Sequence, residues 1–133
     1  MFDPVLNQLP AFAGFFATAI VLLVLFVLLY VWVTPYNELA MIREGNTAAA
    51  ISLGGALLGY ALPIGVSVAT SHDIAVMVGW GVVAGAVQLG AYLVARLALP
   101  DLGVAIPHER RSAGIFMASL SVGVGILNAA CIV

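Results

Sequence analysis

Few side chains in this 133-residue sequence can move a proton, hold a metal or pair with a charge. There are four arginines, six acids, two histidines and one cysteine. Glu38, Arg43 and Glu44 stand together, and Asp101, Glu109, Arg110 and Arg111 form a second group. Such groups would anchor loops in solvent, pair with each other, or offer a docking face to a soluble partner. Glu38, Arg43, Glu44, Arg110 and Arg111 are the candidate docking residues. Exposed ion pairs add little stability, so stabilisation alone would be a weak reason for them. His72, His108 and Cys131 are scattered, whereas metals need clustered ligands and nucleophilic catalysis needs an adjacent base. No Gly-rich phosphate loop is present. The sequence therefore predicts no enzyme, no metal and no cofactor. A formal net charge of −2 is too small to imply nucleic acid as a partner.

The elements that must position these groups follow from where charge is missing. The chain is 64% hydrophobic and 8% charged, against roughly a quarter charged in a soluble domain. No charge occurs between Asp3 and Glu38, nor over 45–71, 74–95 and 112–133. Each run is about as long as the ~20 residues that cross the hydrocarbon of a bilayer. The runs lack the alternation of a membrane strand, and helices satisfy their own backbone groups in lipid. The sequence predicts an all-α integral membrane protein, with the lipid bilayer as its first partner. Its four transmembrane helices span about 12–34, 47–70, 74–98 and 112–132. The first is an anchor rather than a cleavable signal, because Asp3 stands where a basic region would be.

Arginine placement orients the chain. Arg43 lies between the first and second spans, Arg96 near the end of the third, and Arg110 and Arg111 before the fourth. The positive-inside rule puts these connections in the cytoplasm and both termini outside. Thr34-Pro35 ends the first span, and Glu38–Glu44 predicts a short interfacial helix closed by Gly45. Asn46 or Thr47 caps the second span and Asp73 the third. Tyr30, Trp32 and Tyr36 read as an aromatic belt.

Residues 13–70 set beside 77–133 show a weak repeat. Glu38-Leu39 answers Asp101-Leu102, and Ala49, Ile51 and Gly59 answer Ala113, Ile115 and Gly123. Two parallel-related two-helix repeats, 1–70 and 71–133, are expected from this.

The first span is bulky, and the other three are rich in small residues. Gly55-x-x-x-Gly59 and Gly81-x-x-x-Gly85 are spaced for close helix packing, so these three spans should form the bundle interior or a subunit interface. Pro63 should free the carbonyl of Gly59, as a static kink or as a hinge. No Asp, Glu, Lys or His lies deep in any span, which predicts no intramembrane proton acceptor and argues against a proton-coupled multidrug carrier. Ser52, Ser67, Gln88, Ser119, Ser121 and Asn128 are the polar span residues. They would bond between helices, or Gln88, Ser119, Ser121 and Asn128 would line a narrow polar path. Gly55, Gly59, Pro63, Gly81, Gly85, Gln88 and Asn128 are the candidate packing or path residues. The path would make the protein a small channel or transporter.

The stretch from Tyr36 to Ala50, with Glu38-Leu39, Ile42-Arg43-Glu44-Gly45-Asn46 and Ala48-Ala49-Ala50, leads into Ser52-Leu53-Gly54-Gly55. It resembles the YjfL-like small inner-membrane proteins, expected to carry two copies of domain of unknown function 350. The resemblance covers the whole chain and implies a bacterial inner-membrane protein. It further implies a setting beside membrane-stress proteins and no established activity; the expectation is a non-enzymatic, homo-oligomeric component that meets a soluble cytoplasmic membrane-stress protein through its loops. The second half departs from the first, with Ile106-Pro107-His108-Glu109-Arg110-Arg111 in place of Arg43-Glu44-Gly45-Asn46.

Overall fold

Each helix boundary carries a residue that starts or stops the backbone hydrogen-bond ladder. The computed structural model describes residues 3–132 and shows six helices, with no strand among the described residues. They are α1 (Asp3–Val33), α2 (Glu38–Arg43), α3 (Thr47–Ser71), α4 (Ile74–Ala98), α5 (Leu102–Ala105) and α6 (Arg111–Ile132). Helices α1, α3, α4 and α6 are long and apolar enough to cross a membrane. The all-helical, four-span fold expected from the uncharged runs is the fold observed.

Local chemistry explains most boundaries. Pro35 cannot extend α1, and the Thr34 hydroxyl lies 3.1 Å from the carbonyls of both Val31 and Tyr36, drawing the chain into a turn. Asn37 Oδ1 accepts from the Ala40 amide at 3.2 Å and starts α2. Gly45, at φ +90°, ends it in the left-handed region that glycine tolerates. Asn46 Oδ1 accepts from the Ala49 amide at 3.0 Å to cap α3, and Asp73 caps α4 through Ala75 and Val76. Helix α1 extends beyond the expected span and begins at Asp3. Pro4 suits a first turn, and Pro10 inside α1 does not break the helix.

Helices α3 and α6 run the same way from the end where the arginines sit, here the arginine end. Their backbones touch. A Cβ added to Gly59 would lie 2.3 Å from the Ser121 carbonyl oxygen, and one on Gly125 would lie 2.3 Å from that of Gly59. Pro63 cannot donate to Gly59, so the carbonyl it frees faces Gly125. Gly55 against Ala118 and Gly114 against Ala48 extend the seam toward the arginine end. In lipid no hydrophobic force drives helices together, so this close packing supplies the attraction. Helix α1 lies outside the seam, and among its described residues only Phe26 and Tyr30 are buried.

Both short helices lie at the arginine end. Asn46 Nδ2 donates to the Ile106 carbonyl at 3.0 Å, and Glu109 accepts from the Thr47 amide at 3.2 Å. The two loops are therefore tied into one surface.

Candidate functional site

The arginine end holds a carboxyl inside the protein. Asn37 caps α2 from the exposed side, so the next residue turns inward, and Glu38 has 0% of its surface exposed. Neither carboxylate oxygen has a hydrogen-bond partner in the chain. Three elements enclose it. The last turn of α1 supplies Tyr30, the linker supplies Thr34 and Tyr36, and α4 supplies Tyr92; all are buried. Ser52 of α3 is beside Tyr30. The rings of Tyr30 and Tyr92 meet edge-on with centroids 5.9 Å apart, and Phe26 connects Tyr30 to Tyr60 through a stacked contact at 4.4 Å. The hydroxyls of Tyr30, Tyr36, Tyr92 and Ser52 are, like the carboxylate, buried and without partners.

Electrostatics follow from that enclosure. Burial pushes the Glu38 carboxyl up to about 7, with the nearby Thr34 hydroxyl pulling weakly the other way. The ionised form would lose hydration, and no hydrogen-bond partner among the described residues replaces it. The Tyr36 phenol is raised by its own burial and then by the charge of Glu38, while Arg96 opposes. Arg96 is exposed on the last turn of α4, where its charge reaches Tyr36 and Tyr92. Near neutral pH Glu38 can therefore take up and release a proton inside the protein, which is the property required of a proton relay or a pH sensor.

Further unpaired polar atoms lie along the bundle. Gln88 Nε2 donates to the Ser121 carbonyl at 3.0 Å, beside Gly59, and leaves its own Oε1 unbonded. Ser121 Oγ, Ser67 Oγ and Asn128 Nδ2 are also buried without partners. At 1.5 Å rise per residue, Ser52, the Gly59–Gln88–Ser121 level and the Ser67 level are spaced about 10 Å apart. These are polar tiers rather than a continuous wire.

The sequence-derived candidates fall into three settings. Arg43, Glu44, Arg110 and Arg111 are exposed, but Glu38 is not, so it is removed from the surface group in which the sequence placed it. Its position in a short connection, outside the four spans, hides it from any search for charges inside spans. Gly59 and Gln88 meet Ser121 at the middle tier; Gly55 is in the α3–α6 seam and Pro63 is buried. Gly81 packs toward Leu22 and Ile64, while a Cβ on Gly85 would meet only Tyr60, at 3.9 Å. Asn128 is half-buried. Tyr30 and Tyr36 are not belt residues: they face inward, and only Trp32, 81% exposed, stands outside. A signal for this existed. Phe26, Tyr30 and Thr34 recur every fourth residue, the spacing of one helix face, and all three are buried.

Comparison with known proteins agrees with the membrane fold. The model of the family described as Domain of Unknown Function (DUF350) matches residues 4–132. The match is one domain, which replaces the expected two copies. The UPF0719 inner membrane protein YjfL of Escherichia coli K12 is 34% identical over 127 residues, covering 96% of each chain. The UPF0719 transmembrane protein YshE of Bacillus subtilis 168 is 30% identical over 126 residues, covering 93% of this chain and 94% of that one. No solved structure matches. With four apolar helices and relatives named for the membranes they occupy, the chain belongs to the DUF350 family and is a multi-pass membrane protein.

Proposed function

We propose that this protein is a small, non-enzymatic proton-linked channel or carrier of the bacterial inner membrane, with Glu38 as the group that takes up and releases the proton. The observation that carries this reading is a fully buried carboxyl whose two oxygens have no partner. It sits at the mouth of a bundle with further unpaired polar atoms at two deeper levels. By the positive-inside rule Glu38 would face the cytoplasm and both termini the outside. The tight α3–α6 seam closes the path in this conformation. Tilting of α3 about Pro63 would open the level of Gly59, Gln88 and Ser121 to water. A homo-oligomer is supported by Gly54 and Gly123, which have open space where a Cβ would stand. Together they leave a shallow small-residue face on α3 and α6 of the kind membrane helices use to associate.

The test is proton flux in liposomes that hold the full chain and a trapped pH dye, with a potassium gradient and valinomycin as the driving force. The wild type should collapse the gradient faster than empty vesicles, and Glu38→Gln should not. Flux equal to that of empty vesicles, or unchanged in Glu38→Gln, overturns the reading.

A second reading has its own observation. The bonds from Asn46 to Ile106 and from Glu109 to Thr47 hold Arg43, Glu44, Arg110 and Arg111 on one exposed surface. We infer that this surface docks a soluble cytoplasmic protein of a membrane-stress system. Pull-down with and without Arg43→Glu and Arg110→Glu tests it, and an unchanged set of partners refutes it.

A further inference from the structure

The second loop borders an open cavity that the buried carboxyl does not use. Pro100 follows the last residues of α4, α5 turns Leu102 and Ala105 inward, and the Arg110 amide donates to the Ala105 carbonyl at 3.0 Å before α6 begins. Between these segments lies a space of about 330 Å³. Its lining is divided by chemistry. Leu99, Leu102 and Phe116 supply an apolar floor, while Asp101, Arg110 and Ser112 supply the polar rim. The position is the arginine end of two membrane helices, where lipid headgroups lie. Although Asp101 is the N-cap residue of α5, its side chain makes no capping bond, so its carboxylate is available to something else.

We propose that this cavity binds the headgroup of a zwitterionic aminophospholipid, its phosphate held by Arg110 and Ser112 and its primary ammonium by Asp101. The arrangement selects among lipids. A guanidinium and a hydroxyl suit phosphate oxygens, and the first-turn amides of α6 favour an anion at the same place. A purely anionic headgroup would meet the same phosphate partners but be repelled by Asp101. A quaternary ammonium, as in phosphatidylcholine, carries no N–H to donate to the carboxylate. A primary ammonium donates a charge-assisted bond. Phe116, 41% exposed on α6, would carry the start of an acyl chain along the helix. This site is independent of Glu38 and stands whether or not the protein moves protons.

The test is native mass spectrometry of the full chain released from vesicles of equimolar phosphatidylethanolamine, phosphatidylcholine and phosphatidylglycerol with matched acyl chains. Retained phosphatidylethanolamine should exceed phosphatidylcholine by about tenfold, the effect expected of one charge-assisted hydrogen bond. Asp101→Asn should remove most of that preference by lowering retained phosphatidylethanolamine toward the level of phosphatidylcholine, and Arg110→Gln should lower retention of all three. Equal retention of the two zwitterions overturns the proposal and requires no mutant. So does a preference for phosphatidylglycerol, or a preference that survives in Asp101→Asn. Glycerophosphoethanolamine, the headgroup without its chains, should compete poorly; complete competition at equal concentration would assign the cavity to a soluble phosphate ester and also overturn it.

Discussion

The two loops at the arginine end use similar residues in opposite senses. In the first, the pair Glu38-Leu39 turns the acid inward, fully buried, and leaves the leucine 38% exposed. In the second, Asp101-Leu102 buries the leucine completely and leaves the acid in solvent. The cap explains part of the difference. Asn37 holds the N-cap of α2 and pushes Glu38 into the first turn, where its side chain meets the tyrosines. In α5 the acid is itself the N-cap residue, and the first helical position falls to leucine. A one-residue change in where the helix starts thus decides whether the acid is a buried proton acceptor or a surface charge.

The largest test of that contrast is a charge reversal made once in each loop. Glu38→Lys buries an ammonium among hydroxyls and rings with no anion left to pair with. An unpaired buried charge typically costs about 3–5 kcal/mol, enough to eliminate most of the folded form of a marginally stable protein. Asp101→Lys, on the surface, should stay within about 0.5 kcal/mol of the wild type. Thermal unfolding in detergent followed by size exclusion measures both, and similar midpoints for the two variants would dissolve the comparison.

Next comes pH. Unfolded, Glu38 titrates at the usual 4.5, and folded it titrates at about 7. Below 4.5 the carboxyl is protonated in both states and contributes nothing. As pH rises from 4.5 to 7 the unfolded chain ionises first, so folding loses stability across that window, and above 7 the loss is complete. The displacement corresponds to roughly 3 kcal/mol. Glu38→Gln, which cannot ionise, should match the wild type near pH 4 and exceed its stability by that order at pH 8. Parallel stability curves for wild type and Glu38→Gln would mean that the carboxyl is hydrated.

This window also shows what sequence reading can reach. Four long uncharged runs had no soluble alternative, so the spans were legible, and so were caps such as Asn46 and Asp73 and the turn at Gly45, all set by residues within four positions. The inward face of Glu38 was not. It depends on the last turn of α1 and on Tyr92, which is 54 positions away and comes close only when α4 packs beside α1. Tyr30 was misread for the same reason. Two residues from Trp32, it shares the depth expected of a belt, and only the arrangement of neighbouring helices decides which face points inward. The middle tier was half legible: Gln88 was visible as a polar span residue and Gly59 as a packing glycine, but nothing local places them against Ser121.

The leucines give the converse experiment. Leu102 is fully buried under the second loop, and Leu102→Ala should cost about 2 kcal/mol, the low end for a buried leucine because a four-residue helix can partly collapse onto the gap. Leu39→Ala should fall within about 0.5 kcal/mol. A larger loss at position 39 than at 102, read from the same thermal midpoints, would show that the first loop buries its leucine in the membrane-embedded protein.

The smallest effect tests whether the loops act as one surface. Asn46 caps α3 with its oxygen and reaches the Ile106 carbonyl with its nitrogen. Asn46→Asp keeps a capping acceptor and removes only the donor to Ile106, whereas Asn46→Ala removes both. The alanine variant should lose about 2 kcal/mol, the cap and the tie contributing about equally. The aspartate variant should lose nearer 1 kcal/mol, the net worth of one hydrogen bond. Hydrogen exchange at the amides of 106–110 separates the contributions, because a severed tie should raise exchange in the second loop for both variants while the start of α3 stays protected only in Asn46→Asp. Unchanged exchange at 106–110 in both would mean that the two loops move independently, and the contrast between Glu38 and Asp101 would then belong to two separate sites rather than to two halves of one surface.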